Sequence, residues 1–543
     1  MKKFFNAIIV LIAFHSNSLI SQEVEETVVV TSALVDTSEI TNPLYVIDGE
    51  DITDDATTSL GDAIDSYLGI SIADYGAAVG QPIIRGMSGP RVKVLKNGMV
   101  NRDVSGLGVD HLNDVDLNDI DQIEIVKGPS SLLYANGTIG GIINVVDDVI
   151  SPVDFDAREI KVGYEDQSVN DGDSKTINYR NNIGGFNFNF GYKDTDFENY
   201  DIPNGAIEED HDHEHDDDEH EECESCLPNT DFAVEATKFG ISKTGDWGYL
   251  GFSFDNLESV YGIPFHGEEH EEPEGEGEPE PHGEERIFST TDSETFNIKG
   301  SYNVNGNLVN KIDFNYRDSD YSLTEDHEEE HDEDEPHDPD EEEHEPTVFL
   351  NDAIEYGASF DISSGDLSQN IVVNFVDEDN AIFGEESFMN PANNEEFTIG
   401  YYLSREINLL DNDFNVDFGL RVDQIERSGS VTEEDHPGEP PEIENYSIDD
   451  STNSFAISLG NDLTDNLSVN VGFASVERLP SVIELFMNGP HMATGRFEVG
   501  DPTLNSETSE NFDITLNYEN DGFYAYASCL LYTSDAADEG LGV

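Results

Sequence analysis

Alternation of apolar and polar residues dominates the chain from about Arg158 onward. A period of two places every second side chain on one face of an extended strand, so the pattern predicts β-strands with one apolar face. Clear examples are residues 185–192, 249–254, 311–319, 414–423, 467–475 and 523–528. We count roughly fifteen such strands, joined alternately by short turns and long acidic segments. The alternation stops at Ser528, so we expect no strand in residues 529–543.

Residues 44–146 show a different pattern, which predicts a small α/β unit. Apolar residues recur there at helical spacing before a stop at Gly69, namely Leu60, Ile64, Tyr67 and Leu68. Residues 82–89 and 91–98 predict a strand, a turn and a second strand. The second strand ends in Asn97-Gly98, which favours a type I′ hairpin.

The stretch 123–146, IEIVKGPSSLLYANGTIGGIINVV, predicts two apolar strands separated by a sharp reversal. The first strand breaks at Gly128-Pro129, and a helical turn follows at residues 131–134. Tight reversals need positive or fixed φ, which explains the glycines that precede the second strand. These are Gly137, Gly140 and Gly141.

The first residues, 1–21, have the pattern of a secretory signal peptide: two lysines, an apolar run from Phe4 to Phe14, and small residues where a peptidase could cut. That run is too short to span a bilayer, which takes about twenty residues, and no later segment approaches this length. A membrane form of the mature chain must therefore be a closed β-barrel, whose backbone hydrogen bonds are all internal.

Within 123–146, IEIVKGP and YANGTIGGIINVV resemble the end of the plug domain of TonB-dependent outer-membrane receptors. The resemblance implies a plug domain at 33–152 inside a transmembrane antiparallel β-barrel at 153–543, in the lipid of the bacterial outer membrane. Such barrels have about twenty-two strands, so we expect this chain to lack the last ones. The signal peptide and the plug signature favour this barrel over a soluble sandwich, which would show the same alternation.

Residues 22–32 include EETVVVTS, which resembles a TonB box. The resemblance implies a partner, the TonB-ExbB-ExbD energy-coupling complex of the inner membrane, which would pair strand to strand with this segment. The residues expected to pair are Thr27, Val28, Val29, Val30 and Thr31. We find no Ser/His/Asp order, phosphate loop or HExxH motif, and we expect neither an enzyme nor a catalytic cofactor.

The chain has a formal charge of −95, with 24 Lys and Arg against 119 Asp and Glu. This balance excludes nucleic acid as a partner, because phosphate contacts need clustered cations. Acidity is general in the chain, but it is densest in three predicted external loops, 208–224, 266–285 and 325–345, which also carry most of the 15 histidines. Cys223 and Cys226 form a CxxC in the first of these loops, which in an exported protein favours a disulfide over a metal site.

Imidazoles mixed with carboxylates favour borderline transition metals, with zinc foremost. We therefore expect weak capture of metal at many sites in these loops, as against a merely solvated charge run. The candidate loop ligands are His211, His213, His215, His220, His266, His270, His282, His327, His331, His337 and His344.

Two other histidines suggest a discrete site. His111 follows Asp110 in SGLGVDHLNDVD, and His491 lies in MNGPHMATGRFEVGDPTL. The latter stretch, with GEESFMNP at 384–391, resembles the zinc-type, ZnuD-like group of these receptors. The resemblance implies a metal site formed by an Asp-His pair of the plug with a Glu and a His of the barrel. By this resemblance the metal ligands would be Asp110, His111 and His491, together with either Glu385 or Glu386. The sequence does not choose between the two glutamates.

These features predict TonB-dependent uptake of a transition-metal cation, most of all Zn²⁺, free or weakly chelated. A receptor for copper, nickel, haem or a siderophore is the closest alternative. Haem would call for an axial His among apolar residues, and copper for more Met and Cys than the six Met and three Cys present. A calcium-stabilised adhesive β-protein would explain the acidic loops but not the plug signature.

Overall fold

The computed structural model describes residues 45–54, 59–76, 78–126, 131–132, 135–206, 225–264, 286–304, 306, 308–328, 345–384, 387–409, 412–433, 442–464, 466–491, 496–520 and 523–535. The predicted signal peptide and TonB box lie outside these residues, and so do Gly128 and Pro129. Among the described residues, no helix combines the length and the apolar character needed to cross a membrane.

The N-terminal unit is built on a five-stranded sheet of order β1-β6-β7-β4-β5, with a separate hairpin of β2 and β3. β4 and β7 are parallel, and the other pairs are antiparallel. Its core is mainly isoleucine, including Ile64, Ile123 and Ile143. The elements are β1 Tyr45–Asp48, α1 Gly49–Asp54, β2 Ile70–Asp74, β3 Gly80–Ile84, a 3₁₀ turn Gly89–Arg91, β4 Val92–Lys96, β5 Met99–Val100, β6 Gln122–Val126 and β7 Gly141–Val146.

The hairpin prediction at Asn97-Gly98 is confirmed, since these residues join β4 to β5 with φ of 55° and 80°. The helix prediction for residues 60–68 is wrong. The chain makes successive turns there, in which Ile64 N donates to Gly61 O at 3.0 Å and Tyr67 N to Ile64 O at 3.2 Å. Gly61 approaches the carbonyl oxygen of Gly80 so closely that a Cβ would lie 2.5 Å from it, so packing against β3 outweighs the helical spacing.

After residue 158, the described part of the chain forms a fifteen-stranded sheet in which every pair is antiparallel, in agreement with the number of strands expected. Its order follows the chain from β8 to β26, with the short hairpins β11-β12 and β23-β24 lying outside it. The elements are β8 Glu159–Gln167, β9 Gly172–Ile183, β10 Phe186–Phe197, β11 Tyr200–Asp201, β12 Cys226–Leu227, β13 Phe232–Gly245, β14 Gly248–Gly262, β15 Arg286–Asn303, β16 Lys311–Glu328, β17 Thr347–Asp361, β18 Leu367–Phe383, β19 Ala392–Leu409, β20 Asn412–Glu433, β21 Glu442–Thr464, β22 Leu467–Arg478, α2 Val482–Phe486, β23 Asn488–His491, β24 Arg496–Val499, β25 Glu507–Asn520 and β26 Phe523–Asp535.

The prediction that strand structure ends at Ser528 is wrong, because β26 pairs with β25 as far as Asp535. Backbone pairing continues there although the apolar alternation has stopped. The expected domain boundary at 152/153 falls between β7 and β8 and stays a prediction.

The two faces of the large sheet have the reverse of the usual polarity. On β14, Phe252 and Phe254 are 40% and 42% exposed, whereas Ser253 between them is 5% exposed. The same holds on β20, where Leu420 and Val422 are exposed and Arg421 is buried. In a soluble sandwich the apolar face would form the core. Here the apolar face points outward, as it does in a barrel surrounded by lipid.

The polar inner face packs against the N-terminal unit. Arg317 on β16 donates from Nη2 to Lys96 O at 2.9 Å and from Nη1 to Met99 O at 3.4 Å. Arg421 on β20 donates to Leu132 O at 3.2 Å. Arginines of the large sheet therefore donate to backbone carbonyls of the N-terminal unit, which lies against the inner face of the sheet.

Connections at one end of the sheet are short, as at 184–185, 246–247 and 465–466, and those at the other end are long, as at 198–231, 263–285 and 479–506. We call the second end the loop end. It is the end at which the candidate site lies.

Candidate metal site

Four ligand-bearing side chains converge at the loop end: Asp110, His111, Glu325 and His491. One ligand atom from each lies within 4.8 Å of the others, and all four residues are buried. Asp110 Oδ2 lies 3.4 Å from Nε2 of His111 and 3.3 Å from Nε2 of His491. Nδ1 of His111 lies 3.7 Å from Glu325 Oε1. We call these four residues the outer cluster.

Asp110 and His111 come from the long plug loop between β5 and β6. The buried amide of Gln81 on β3 donates to three carbonyl oxygens of this loop, those of Ser105, Gly108 and His111. Gly108 is required sterically, because a Cβ there would lie 2.1 Å from Oδ1 of Asp110 and 3.1 Å from Cε1 of His491. The loop is thus fixed by side chains although it contains no regular secondary structure.

Glu325 is the ligand-bearing residue that the sequence analysis missed. Residues 325–328 were predicted to open an acidic loop, but they complete β16, and Glu325 is paired in register with Thr347 of β17. Its side chain is 8% exposed and follows the buried Tyr321 and Leu323 at a period of two. That period is the signal that could have identified it, since it places Glu325 on the inner face.

His491 is the last residue of β23. This strand pairs with β24, and His491 lies opposite Arg496. This hairpin follows α2, whose first turn has a capping box: Ser481 Oγ accepts from Glu484 N at 3.3 Å, and Glu484 Oε2 accepts from Ser481 N at 2.7 Å. The hairpin is anchored to the barrel by Asn488 N, which donates to Phe388 O at 2.7 Å.

Aromatic rings enclose the outer cluster. The rings of His111 and His491 are stacked, with centroids 5.4 Å apart and an interplanar angle of 13°. Phe349 lies edge-on to His111 at 5.1 Å, and Phe388 stacks on His491 at 5.0 Å. The cluster is therefore a small polar centre within an apolar shell, where electrostatic interactions are strong.

Burial and neighbouring charges together shift the pKa values of the two histidines in opposite directions. Burial lowers the pKa of His111 to about 4, because it outweighs the nearby Asp110 carboxylate, which by itself would raise that pKa. Burial also opposes charge on His491, but the carboxylates of Asp110 and Glu498 prevail and raise its pKa to about 10. For Asp110, the two histidines outweigh burial and lower the pKa to about 2. The arrangement thus favours one positive charge between carboxylates, a charge that a bound cation could supply instead.

The structure brings three of the five predicted ligands together, namely Asp110, His111 and His491. Glu385 and Glu386 lie outside the described residues, as do Thr27–Thr31 and Cys223. Cys226 is disulfide-bonded, and Cys529 is a free thiol. The predicted loop ligands also lie outside, except His327, whose backbone belongs to β16.

Two family models match the chain. The TonB-dependent Receptor Plug Domain matches residues 36–142, and the TonB dependent receptor-like β-barrel matches residues 130–529. The chain belongs to the TonB-dependent receptors. The predicted fold class and its location in the bacterial outer membrane are thereby confirmed, and the family is one of receptors rather than enzymes, as expected.

Two curated relatives match a short segment of this receptor. A hemin receptor of Yersinia enterocolitica is 30% identical over 128 residues, which make up 23% of this chain and 18% of that protein. The vitamin B12 transporter BtuB of Vibrio vulnificus is 29% identical over 133 residues, 23% of this chain and 22% of that protein. The matched segments therefore span about a fifth of the length of these curated relatives.

Solved structures share the fold of this receptor. The copper transporter OprC covers 90% of this chain with a TM-score of 0.66 and 15% identity, and 72% of OprC is covered. The Serratia marcescens hemophore receptor HasR gives a TM-score of 0.69 with 12% identity, over 90% of this chain and 72% of HasR.

Proposed function

We propose that this receptor takes up a divalent transition-metal cation, zinc foremost, across the outer membrane, with energy from a TonB-ExbB-ExbD complex. The single observation that carries the proposal is the outer cluster, in which two imidazoles and two carboxylates from both domains converge in a buried space. Long loops of such barrels face the exterior, so the cluster lies toward the side from which an ion would arrive.

The donor set supports zinc. Ligands around tetrahedral zinc lie 2.0–2.2 Å from the metal, and hence about 3.3 Å from one another. The two distances from Asp110 to the histidines, 3.3 and 3.4 Å, are already close to this value. Calcium and magnesium favour sites made only of oxygen, whereas two imidazoles favour zinc, copper and nickel.

The space around the cluster favours an ion over a large chelate. Phe349 and Phe388 pack directly on the two imidazoles. A drug-sized ligand needs a pocket of about 300–1,000 Å³. Haem and cobalamin, the ligands in the names of the two curated relatives, would require these aromatic rings to move apart.

Metal competition separates zinc from its neighbours in the transition series. We expect the purified full-length receptor, titrated with buffered metals at equal free concentration, to bind Zn²⁺ more tightly than Ni²⁺, Co²⁺ or Mn²⁺. Cu²⁺ binds most N and O sites more tightly than Zn²⁺, so copper must be tested at its much lower buffered availability. Tighter binding of Ni²⁺ than of Zn²⁺, or retention of copper under that condition, would overturn the assignment to zinc.

Replacing Glu325 identifies the barrel carboxylate. We expect Glu325→Gln to weaken zinc binding by more than about tenfold, because an amide removes a negative charge that contacts His111. Glu385→Gln and Glu386→Gln are the matched controls, since each removes one carboxylate from the loop that sequence resemblance suggested. Isothermal titration of the three variants decides between them: a loss confined to Glu385 or Glu386 would exclude Glu325 as a ligand.

The acidic loops would serve a different step. Their carboxylates and histidines would concentrate the cation near the entrance by charge and weak ligation, and the outer cluster would then select it. A disulfide from Cys226, the first residue of β12, to Cys223 would tie the end of the first loop to the barrel.

A further inference from the structure

A cavity of about 190 Å³ lies between plug and barrel, directly inside the outer cluster. The two are contiguous through one plug loop: Asp103 to Gly106 line the cavity, and Asp110 and His111 carry the cluster. Gln81 lines the cavity and also holds the cluster loop. At about 10–15 Å³ for one water, the cavity has room for several solvent molecules or a hydrated ion.

Three carboxylates reach this cavity from adjacent strands: Glu355 on β17, which is buried, and Glu378 on β18 and Glu396 on β19, which are half-buried. The register places them at two successive levels. Glu378 is opposite Ala353 and Asn394, while Glu355 and Glu396 are both opposite Val376. Glu378 is level with Ala353 of β17, and Glu325 of the outer cluster is level with Thr347 of the same strand. These two positions are six residues apart along β17, or about 20 Å at 3.4 Å per residue.

Two buried amide oxygens in the same cavity have no hydrogen-bond partner among the described residues, so they are available as acceptors for a ligand. Asn351 and Asn394 are 5% and 6% exposed, and neither Oδ1 is satisfied. Their nitrogens are already used, by Asp103 O at 2.8 Å and by Glu378 Oε2 at 3.1 Å respectively. Buried acceptors of this kind cost free energy unless a donor or cation meets them.

Plug cations neutralise the carboxylates in this conformation. The guanidinium of Arg102 lies 3.5 Å from Glu355 and 3.2 Å from Glu378, and Lys93 lines the same cavity. On the barrel, Arg421 is paired with Asp423, and Arg478 with Glu484 and Glu507. Without the plug cations, Arg427 is the remaining cation of the described cavity lining that is not already paired with other carboxylates, so the three carboxylates keep two negative charges for a divalent cation.

We infer that Glu355, Glu378 and Glu396 form a second, inner cation site on the barrel wall, which Arg102 of the plug occupies until the plug rearranges. The inference rests on the proposed uptake of a divalent cation. When the plug loop moves, the outer cluster loses Asp110 and His111 while the inner carboxylates lose Arg102, so one movement releases the ion from the first site and opens the second.

The ligand types give the transfer a direction. The inner site offers carboxylate and amide oxygens and no imidazole, so it holds zinc more weakly than the outer cluster does. An ion that must leave on the periplasmic side needs successive sites that do not trap it. A hydrated ion held by carboxylates meets that requirement.

Zinc binding to the full-length receptor tests the inference. We expect Arg102→Gln to bind about one more Zn²⁺ per chain than the unmodified receptor, because carboxylates that lose their buried partner are left uncompensated. Adding Glu355→Gln and Glu378→Gln to this variant should remove the extra ion. Lys238→Gln is the matched control: it breaks another buried plug–barrel ion pair, to Asp116 at 3.5 Å, away from the cavity, and should bind no extra zinc.

Uptake provides a second measurement that does not depend on Arg102→Gln folding. We expect Glu378→Gln to lower the rate of zinc uptake about tenfold with the affinity of the outer cluster unchanged, a difference of about 1.4 kcal/mol in the barrier. No extra zinc in Arg102→Gln, equal extra zinc in Lys238→Gln, or full uptake by Glu378→Gln would each overturn the inner site. The variant His111→Ala with His491→Ala, measured alongside, reports on the outer cluster independently, so failure of one site is not mistaken for failure of the other.

Discussion

Zinc uptake at low supply is expected to collapse when His111 and His491 are both replaced by alanine. The double substitution removes both imidazoles and leaves two carboxylates among aromatic rings, a poor site for zinc. Loss of outer-shell partners alone costs about 10–100-fold in metal affinity, so if the proposed site is correct the loss of both imidazoles should exceed about a hundredfold. Uptake of radioactive zinc by cells expressing the full-length receptor, over a range of buffered zinc concentrations, measures the effect.

The acidic loops supply the control for this experiment. Replacing His211 and His213 by alanine removes the same number of imidazoles from the first loop. We expect that variant to keep high-affinity uptake and the double variant at the cluster to keep bulk zinc binding by the loops. If the two pairs of substitutions had equal effects on uptake, the outer cluster would not be the selective site.

A proline in the segment before the plug should abolish uptake and leave zinc binding intact. Val29→Pro removes a backbone N–H from the expected pairing of residues 27–31 with a strand of TonB. The segment precedes β1, the first strand of the plug sheet, so the fold and the outer cluster should be unaffected. Zinc uptake in cells and zinc affinity of the purified receptor, measured on the same variant, separate energy coupling from binding.

Val29→Thr is the matched change, because threonine keeps both the N–H and the β-branched shape that favours strands. It should transport zinc normally. Normal transport by Val29→Pro would place the TonB contact elsewhere in the receptor, and a parallel loss of zinc affinity would show that the substitution disturbs the plug itself.

Local patterns were enough to predict most of the fold. The period of two located the strands because a barrel wall exposes one face to lipid and one to the lumen, as Phe252, Ser253 and Phe254 illustrate. Prediction failed where tertiary contacts overrode the pattern. Close packing of Gly61 against β3 replaced a helix by turns, and β25 held residues after Ser528 in a strand without apolar alternation.

The candidate site was only partly predictable, since its members are distant in sequence. Asp110, His111 and His491 were found through family resemblance, whereas Glu325 was hidden among fifteen carboxylates in residues 325–345. Composition alone cannot distinguish one carboxylate of this segment from another. The barrel register distinguishes Glu325, because its pairing with Thr347 shows that β16 continues past residue 324, where the composition placed the start of a loop.

The hydrogen bonds from Gln81 to the plug loop that carries Asp110 and His111 affect the conditions that the receptor can tolerate. Gln81 holds Ser105, Gly108 and His111 through a neutral amide, which neither gains nor loses a proton in any natural water and is not screened by dissolved salt. A lysine at position 81 would make the loop conformation depend on salt concentration and on pH. These hydrogen bonds of Gln81 should therefore hold the loop equally in seawater and in fresh water, whereas the carboxylate of Asp103, which accepts from Ser105 and Asp114 in the same loop, can respond to the medium.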